Sequence, residues 1–226
     1  MTRAKRLFDL FFVCLFAPFL LLILAILAIW LWVRQGLPIF HGSERMCSAA
    51  KSFTLWKLRS MTVVENDSGV SGGDKTARVT PAGQLLRRTR LDEVPQILNI
   101  LRGDISFVGP RPPLRQYVER FPELYAQVLR SRPGVTGLAS LVFAAHEERL
   151  LARARSPQET DAIYARVCVP RKARIDLIYQ RRRTMRLDLW LMALTAGRVL
   201  GHARRRRLPR QWREVSGRWA AMWSET

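Results

Sequence analysis

The segment "RRTRLDEVPQILNILRGDISFVGPRPP", residues 87–113, joins a charged stretch to an apolar one and then to a proline-rich end. Pro95 near the start of the apolar part and Gly103 at its close are typical of the first turn and the end of a helix. Gly109 and Pro110 then exclude further helix and predict a rigid extended turn. The segment therefore predicts a short helix followed by a fixed turn.

Three arginines, Arg87, Arg88 and Arg90, come just before the adjacent carboxylates Asp92 and Glu93. One hypothesis is structural: the first carboxylate caps a helix and the second favours the positive end of its dipole. The other is catalytic, with one carboxylate attacking a phosphorus atom and its neighbour holding Mg²⁺. Neighbouring helical positions are about 100° apart, so the two groups can divide labour but cannot share one proton. Both hypotheses stay open at this point.

The segments on either side contain weaker signals. "SFTLWKLRSM" alternates partly with period 2 and predicts a strand, and "TPAGQLLRRT" predicts a helix with Thr80 as its cap and Pro81 at its first position. Residues 65–76 are rich in Gly, Ser, Asn and Asp and predict a mobile loop. Helical patterns resume at 114–130 and 145–167. Arg111, fixed between two prolines, is a candidate preorganised phosphate ligand.

The N-terminal segment is a membrane element. The 24 residues between Asp9 and Arg34 contain no charge, and as a helix they would measure about 36 Å against a hydrocarbon core of about 30 Å. Pro18 interrupts the run, and both ends are basic, so the positive-inside tendency keeps both ends on one side. These features slightly favour a re-entrant helix hairpin over a helix that spans the membrane.

Composition narrows the class of protein. The chain has 226 residues and a formal charge of +20, which predicts attraction to nucleic acid, anionic lipid or phosphorylated substrates without choosing among them. Three cysteines without C-x-x-C spacing and three histidines far apart disfavour a disulfide framework and a zinc site. The Arg/Trp-rich residues 201–226 suit a membrane surface, a solvated tail or RNA, in that order.

Several segments in a fixed order resemble the bacterial sugar transferase family, the monotopic polyprenol-phosphate phosphoglycosyl transferases. They are "KRLFD" before the apolar run, "KLRSM", the segment 87–113 and "RPGVTGLAS", with a fainter match near the C-terminal "IDLIYQRRRTMRLDLWLMALTAGRVL". The resemblance implies transfer of a sugar-1-phosphate from a UDP-sugar to undecaprenyl phosphate, with release of UMP. It places the protein in the bacterial cytoplasmic membrane, inserted in one leaflet, with its catalytic domain on the cytoplasmic face.

The resemblance also implies residue roles. Asp92 would be the nucleophile that forms a covalent phosphosugar intermediate, and Glu93 would be catalytic as the ligand of the Mg²⁺ cofactor. Five basic residues would bind phosphate or nucleotide: Lys57, Arg59, Arg87, Arg88 and Arg111. Pro18 would kink the membrane helix, and Lys5 and Arg6 would contact lipid headgroups.

The expected organisation has three parts. Residues 1–34 form the re-entrant membrane helix, 35–200 the cytosolic catalytic domain and 201–226 the basic extension. The expected fold class is α+β but mainly helical, with little sheet and with amphipathic helices at the interface. Expected partners are the two substrates and the membrane, with a second copy of the chain and downstream glycosyltransferases as further candidates, and without nucleic acid.

The chain departs from the family pattern at Ser43, Cys47 and Ala50, where the family commonly has Gln-x-Arg-x-Gly-x-x-Gly; Arg45 is retained. The missing glycines predict a different backbone path there. Ser140 stands where glutamine is usual. An alternative function is a non-catalytic, membrane-anchored basic protein that binds anionic lipid or nucleic acid, which explains the charge but not the order of the motifs.

Overall fold

The computed structural model describes residues 2–64, 70 and 73–199. The predicted extension 201–226 and most of the predicted loop 65–76 lie outside the described residues. The described part is mostly helical with little sheet, which confirms the coarse fold class. The α-helices, in chain order, are α1 (Arg3–Gln35), α2 (Pro81–Thr89), α3 (Ile97–Arg102), α4 (Arg115–Arg120), α5 (Pro122–Val128), α6 (Leu138–Val142), α7 (Ala144–Leu151), α8 (Pro157–Ile163), α9 (Val169–Arg182) and α10 (Met185–Val199).

Two short sheets accompany these helices. The strands are β1 (Phe40–Met46), β2 (Ser52–Leu58), β3 (Ser106–Val108) and β4 (Gly134–Thr136). β1 and β2 form an antiparallel hairpin, while β3 and β4 pair in parallel. Short 3₁₀ helices cover Gly73–Arg78 and Leu91–Gln96, and a π-helical turn covers Tyr164–Cys168. The strand predicted in "SFTLWKLRSM" is confirmed over Ser52–Leu58.

Local capping explains where the two helices near the carboxylates begin and end. The Thr80 hydroxyl accepts the Gly83 N–H at 2.9 Å, and Pro81 occupies the first position of α2, as the sequence predicts. α3 ends at Gly103, whose φ of 84° lies in the left-handed region that glycine adopts without strain. Residues 91–96 form a 3₁₀ helix rather than the first turns of α3, so the predicted helix begins later than expected.

The long helix α1 packs against the rest of the chain along one face. The inward residues recur every three or four positions: Lys5, Asp9, Val13, Ala17, Leu20, Leu24, Leu27 and Leu31. The opposite face is also apolar but exposed, at Phe11, Leu15, Phe19, Leu22, Ile26, Ile29 and Val33. α1 is the one helix of the described part that is long and apolar enough to cross a membrane, a property compatible with membrane anchoring.

Both ends of α1 contact the part of the protein that the other helices and strands form, here called the catalytic body. At the N-terminal end, Lys5 Nζ pairs with Asp188 Oδ2 of α10 at 2.5 Å. Asp9 Oδ1 accepts the Ser106 hydroxyl at 2.9 Å. At the C-terminal end, Leu31 is fully buried against Leu58 and Leu86. The helix continues through Pro18, which lies on the exposed face.

The C-terminal helices build the main core around the parallel strand pair. Phe143, Tyr179 and Leu191 are among its fully buried members, with Val108 of β3 at its edge. A second cluster packs α4 and α5 against α9 around Tyr117. β3 packs against this core on one side and contacts α1 on the other, so the start of the turn that follows β3 is fixed in place. That turn carries Arg111.

Candidate active site

The paired carboxylates lie on a tight turn between α2 and α3. α2 is followed by its C-cap residue Arg90, whose φ of 59° is left-handed and reverses the direction of the chain. The 3₁₀ helix that follows turns Asp92 and Glu93 inward, where they are 6% and 7% exposed. No cap hydrogen bond is made by a side chain at this helix or at α3. The carboxylates are therefore not the helix caps that the structural hypothesis predicts.

Glu93 is surrounded by cations. Its Oε1 accepts from Arg111 at 2.8 Å and lies 3.3 Å from Lys57 Nζ, while its Oε2 is 3.5 Å from Arg90. Burial alone would raise the pKa of this carboxyl, but the charges of Arg111, Lys57 and Arg90 together hold the pKa far below its usual range. Glu93 is therefore ionised at neutral pH.

Asp92 has a different environment from its neighbour. Its Oδ2 lies 3.8 Å from Lys57 Nζ, and this is its one ion pair within the described part of the chain. Burial raises the pKa of Asp92, the Lys57 charge opposes that rise, and the Glu93 charge adds to it. Two adjacent carboxyls thus have their pKa values moved in opposite directions, which is typical of acidic groups with separate roles in one site.

Lys57 is brought to the dyad by the pairing of β2 with α3. Asn99 of α3 is fully buried, accepts the Trp56 N–H at 3.2 Å and donates to the Thr54 carbonyl at 2.8 Å. These bonds hold the edge of β2 that does not pair with β1 beside Asp92 and Glu93. Burial lowers the pKa of Lys57, and the Glu93 charge counteracts that effect.

Arg111 is held by a close approach of two backbone segments. A Cβ added at Gly109 would lie 2.2 Å from the Arg132 carbonyl oxygen, so only glycine fits there. Gly109 N–H also donates to the Thr136 carbonyl at 2.9 Å. The adjoining prolines then fix the direction of the chain, and the Glu93 charge raises the pKa of Arg111 further. The preorganisation that the sequence predicts for Arg111 has this physical basis.

Other predicted phosphate-binding residues have protein partners or lie at the surface. Arg59 donates to the Gln35, Gly36 and Leu37 carbonyls at the C-terminal end of α1. Arg87 Nε donates to the Ser60 hydroxyl at 2.9 Å. Arg88 is exposed at the end of α2. Phosphate binding by these three arginines stays a prediction.

The residues predicted to contact lipid headgroups also bind within the protein. Lys5 is buried in its ion pair with Asp188, which in turn accepts the Tyr179 hydroxyl at 2.7 Å. Arg6 donates to the Ile100 carbonyl at 2.5 Å. Headgroup contact by Lys5 and Arg6 stays a prediction. The structure shows that both residues also bind α1 to other helices, Lys5 to α10 and Arg6 to α3.

Two further basic residues lie near the site: Arg90, noted in the sequence only as one of three arginines before the carboxylates, and Arg45, which was not predicted as a ligand. Arg90 lies 3.5 Å from Glu93 across one turn, a spacing visible in the sequence as i, i+3. Arg45 of β1 influences both Arg111 and Lys57 electrostatically. The signal for Arg45 was its place in the segment that aligns with the family pattern.

The donor set of the site can be tested against a magnesium ion. Among the described residues, no group of three or more His, Cys, Asp or Glu side chains is arranged to hold a metal. Mg²⁺ requires less than that, because it commonly takes one or two carboxylates together with substrate phosphates and water. Asp92 and Glu93 fit this requirement, with Glu93 ionised and its Oε2 only loosely engaged.

Comparison with known proteins identifies the family. Residues 1–202 match the family model for bacterial sugar transferases. A Bacillus subtilis protein named uncharacterized sugar transferase EpsL is 38% identical over 141 residues, which cover 61% of this chain and 67% of that protein.

Longer relatives carry the name of a defined reaction. The UDP-glucose:undecaprenyl-phosphate glucose-1-phosphate transferase of Klebsiella pneumoniae is 36% identical over 166 residues, which cover 72% of this chain and 36% of that enzyme. The Caulobacter vibrioides protein of the same name is 43% identical over 132 residues, covering 56% of this chain and 48% of that enzyme. The matches thus span less than half of these two relatives.

Proposed function

Because this chain belongs to the bacterial sugar transferase family, we propose that it transfers a sugar-1-phosphate from a UDP-sugar to undecaprenyl phosphate and releases UMP. The observation that carries the proposal is the buried Asp92–Glu93 pair with Lys57 and Arg111 beside it. A carboxylate that can attack phosphorus, a second carboxylate that can hold a metal ion and cations that can bind phosphate are groups that metal-assisted phosphoryl transfer uses.

In the first half of the reaction, an Asp92 carboxylate oxygen attacks the phosphorus nearer the sugar. A bond forms between this oxygen and phosphorus, the bond from phosphorus to the bridging oxygen breaks, and UMP leaves with the electron pair. Lys57 supports this step because its charge favours the ionised Asp92. Asp92 is not held by backbone N–H groups at a helix cap, which leaves its oxygens available to the substrate.

In the second half, a phosphate oxygen of undecaprenyl phosphate attacks the same phosphorus. The new anhydride bond forms, and the bond to Asp92 breaks to return the carboxylate. Arg111 is positioned to bind phosphate oxygens in both halves, because its guanidinium is fixed by Glu93 and by the rigid turn. Mg²⁺, held by Glu93, would supply further neutralisation of phosphate charge.

The membrane placement is proposed as a re-entrant helix in one leaflet, with the catalytic body on the cytoplasmic face. Support comes from the two ends of α1, which are both fastened to the same body through Lys5 and Gln35. A helix that crossed the bilayer would separate these ends by the whole hydrocarbon core. Pro18 lies on the outward face, where its ring favours bending of the helix away from it and around the body.

Interfacial placement of the catalytic body has support of its own. Outside α1, large apolar side chains are exposed on three further helices, at Leu85 of α2, Leu98 and Leu101 of α3, and Met185 and Leu189 of α10. α3 and α10 also contact the N-terminal end of α1. Exposed apolar side chains beside a membrane helix favour a catalytic body that is partly inserted in the membrane–water interface rather than one that is surrounded by water.

The test is UMP release by the detergent-purified chain with undecaprenyl phosphate, Mg²⁺ and a panel of UDP-sugars. The names of relatives suggest glucose, galactose and N-acetylgalactosamine as donors to include. We expect release that requires lipid and metal, prefers one donor and disappears in Asp92→Asn. UMP release that persists in Asp92→Asn would overturn the role of Asp92. No release by the wild type above background across the panel would overturn the proposed reaction and leave a non-catalytic basic membrane protein as the better account.

A further inference from the structure

Arg45 is a cation of the site without a carboxylate of its own. It lies near the end of β1, opposite Phe53 of β2, and strand alternation puts its side chain on the same face as that of Lys57. The next residue, Met46, donates its N–H to the Pro113 carbonyl at 3.0 Å, which brings the end of β1 beside the proline-rich turn. The backbone thus delivers Arg45 to the neighbourhood of Arg111.

The guanidinium of Arg45 is partly buried and poorly paired. Among the residues that the structure describes, it makes one long hydrogen bond, from Nε to the Ser43 hydroxyl at 3.4 Å. The neighbouring Glu44 points to the opposite face and pairs instead with Arg115, at 2.5 Å. Burial, followed by the charge of Arg111, lowers the pKa of Arg45 to about 10, so the group is still charged at pH 7.

A partly desolvated charge without a counter-ion is costly in the folded protein, and a bound anion removes that cost. The site supplies four cations, Lys57, Arg90, Arg111 and Arg45, against the two carboxylates. Even without a metal ion, the cations exceed the carboxylates by two positive charges, so the site favours an anionic ligand such as the diphosphate of a nucleotide sugar. Tyr117 and Tyr164, whose ring centroids are 4.8 Å apart, lie near enough to Arg45 to affect its pKa.

The position of Arg45 relative to the dyad indicates which phosphate it meets. Lys57 contacts both carboxylates, whereas Arg45 lies opposite Phe53, four positions along β2 from Lys57. Arg45 thus lies further from the nucleophile than Lys57 does. In an in-line displacement, the leaving group departs on the side opposite to the attacking oxygen.

We propose that Arg45 binds the phosphate that departs with the nucleoside monophosphate, as a substrate-binding residue on the far side of Arg111 from Asp92. The proposal rests on the reaction proposed above, with Asp92 as the nucleophile. A guanidinium suits this task because it binds phosphate through two parallel hydrogen bonds and stabilises the charge that develops on the leaving oxygen. A lipid phosphate has the same chemistry, so the experiment must separate the two sources.

The test compares Arg45→Gln, Arg45→Lys and the control Arg115→Gln in the detergent-purified full chain. Arg115→Gln also removes one positive charge close to Arg45 in the fold, but Arg115 is exposed and lies outside the site. The first readout is exchange of labelled UMP into UDP-sugar without undecaprenyl phosphate, and the second is the KM for each substrate. We expect Arg45→Gln to slow exchange about tenfold to a hundredfold and to raise the KM for UDP-sugar, with an unchanged KM for the carrier.

Arg45→Lys should recover part of the exchange, and Arg115→Gln should behave as the wild type. Normal exchange in Arg45→Gln would overturn the proposal, and so would an effect confined to the KM of undecaprenyl phosphate. Thermal unfolding of each variant checks that it folds.

A third readout separates this inference from the proposed reaction. The preference of the protein for UMP over uridine is measured by direct binding, which needs no turnover. If the wild type shows no exchange, the proposed reaction fails; loss of the UMP preference in Arg45→Gln would still support phosphate binding by Arg45. If the preference for UMP persists in Arg45→Gln, Arg45 does not bind the phosphate.

Discussion

Loss of the Lys57 charge should shift the acidic limb of the pH–activity profile to higher pH. Lys57 Nζ lies 3.8 Å from Asp92 Oδ2, and its charge is the strongest influence that lowers the pKa of Asp92. Removal of the charge leaves burial and Glu93 to raise that pKa. Glu93 itself stays ionised, because Arg111 and Arg90 still contact it. The limb therefore reports the ionisation of the proposed nucleophile.

The distance sets the size of the shift. Two unit charges 3.8 Å apart interact by about 4 kcal/mol at an effective dielectric constant of about 20. The Lys57 side chain is 21% exposed, and solvent weakens the interaction below that figure. We therefore expect the limb to move clearly to higher pH in Lys57→Met, because the pKa of Asp92 rises when the Lys57 charge is lost.

The assay is kcat/KM for UMP release across about pH 5 to 9, compared among the wild type, Lys57→Met and Lys57→Arg. Lys57 is also expected to bind phosphate, so both variants should lower the plateau. The position of the limb, not its height, is thus the informative quantity, and Lys57→Arg should leave it near that of the wild type. A limb that stays in place in Lys57→Met would refute the electrostatic role assigned to Lys57.

Three further predictions concern the fold around the site. Lys5→Met should lower the free energy of unfolding by about 3–5 kcal/mol, because it leaves Asp188 buried without its ion-pair partner; Asp188→Asn in the same chain should recover most of the loss in a thermal melt. Gly109→Ala should cut UMP release about a hundredfold, since the added Cβ would lie 2.2 Å from a carbonyl oxygen, whereas Gly197→Ala, with nothing within 4 Å, should not. Burial raises the pKa of Asp176 to about 7, so the protonated carboxyl contributes stability that is fully present below about pH 4 and is lost as the pH rises through about 7. The melting temperature of Asp176→Asn minus that of the wild type should therefore increase between about pH 5 and 8. A difference that does not change with pH would contradict this.

Features that depend on neighbouring residues could be predicted from the sequence. Thr80 followed by Pro81 begins α2, and Gly103 ends α3, because capping geometry is decided within a few residues. The strand at 52–58 also follows from local alternation. The role of Arg111 as a fixed side chain was predictable for the same reason, since the flanking prolines restrict the chain directly.

Features that depend on distant residues could not be predicted. Both faces of α1 are apolar, so the pattern could not show which face contacts the catalytic body. The pairing of Lys5 with Asp188 joins residues 183 positions apart and leaves no local signal. The contacts of Arg59 could not be predicted for the same reason, because its guanidinium donates to carbonyls at the C-terminal end of α1, which is distant in sequence. Strand alternation predicts which side chains share a face but not which groups from elsewhere reach them.

The central claim is that Asp92 carries the sugar phosphate during the reaction. The most direct measurement is the intact mass of the full chain after incubation with the preferred UDP-sugar and Mg²⁺ in the absence of undecaprenyl phosphate, followed by mapping of the modified peptide. The account predicts an added sugar phosphate on Asp92 that is lost when the carrier is supplied and that does not form in Asp92→Asn. Release of UMP with an unmodified chain, or a sugar phosphate on another residue, would contradict it.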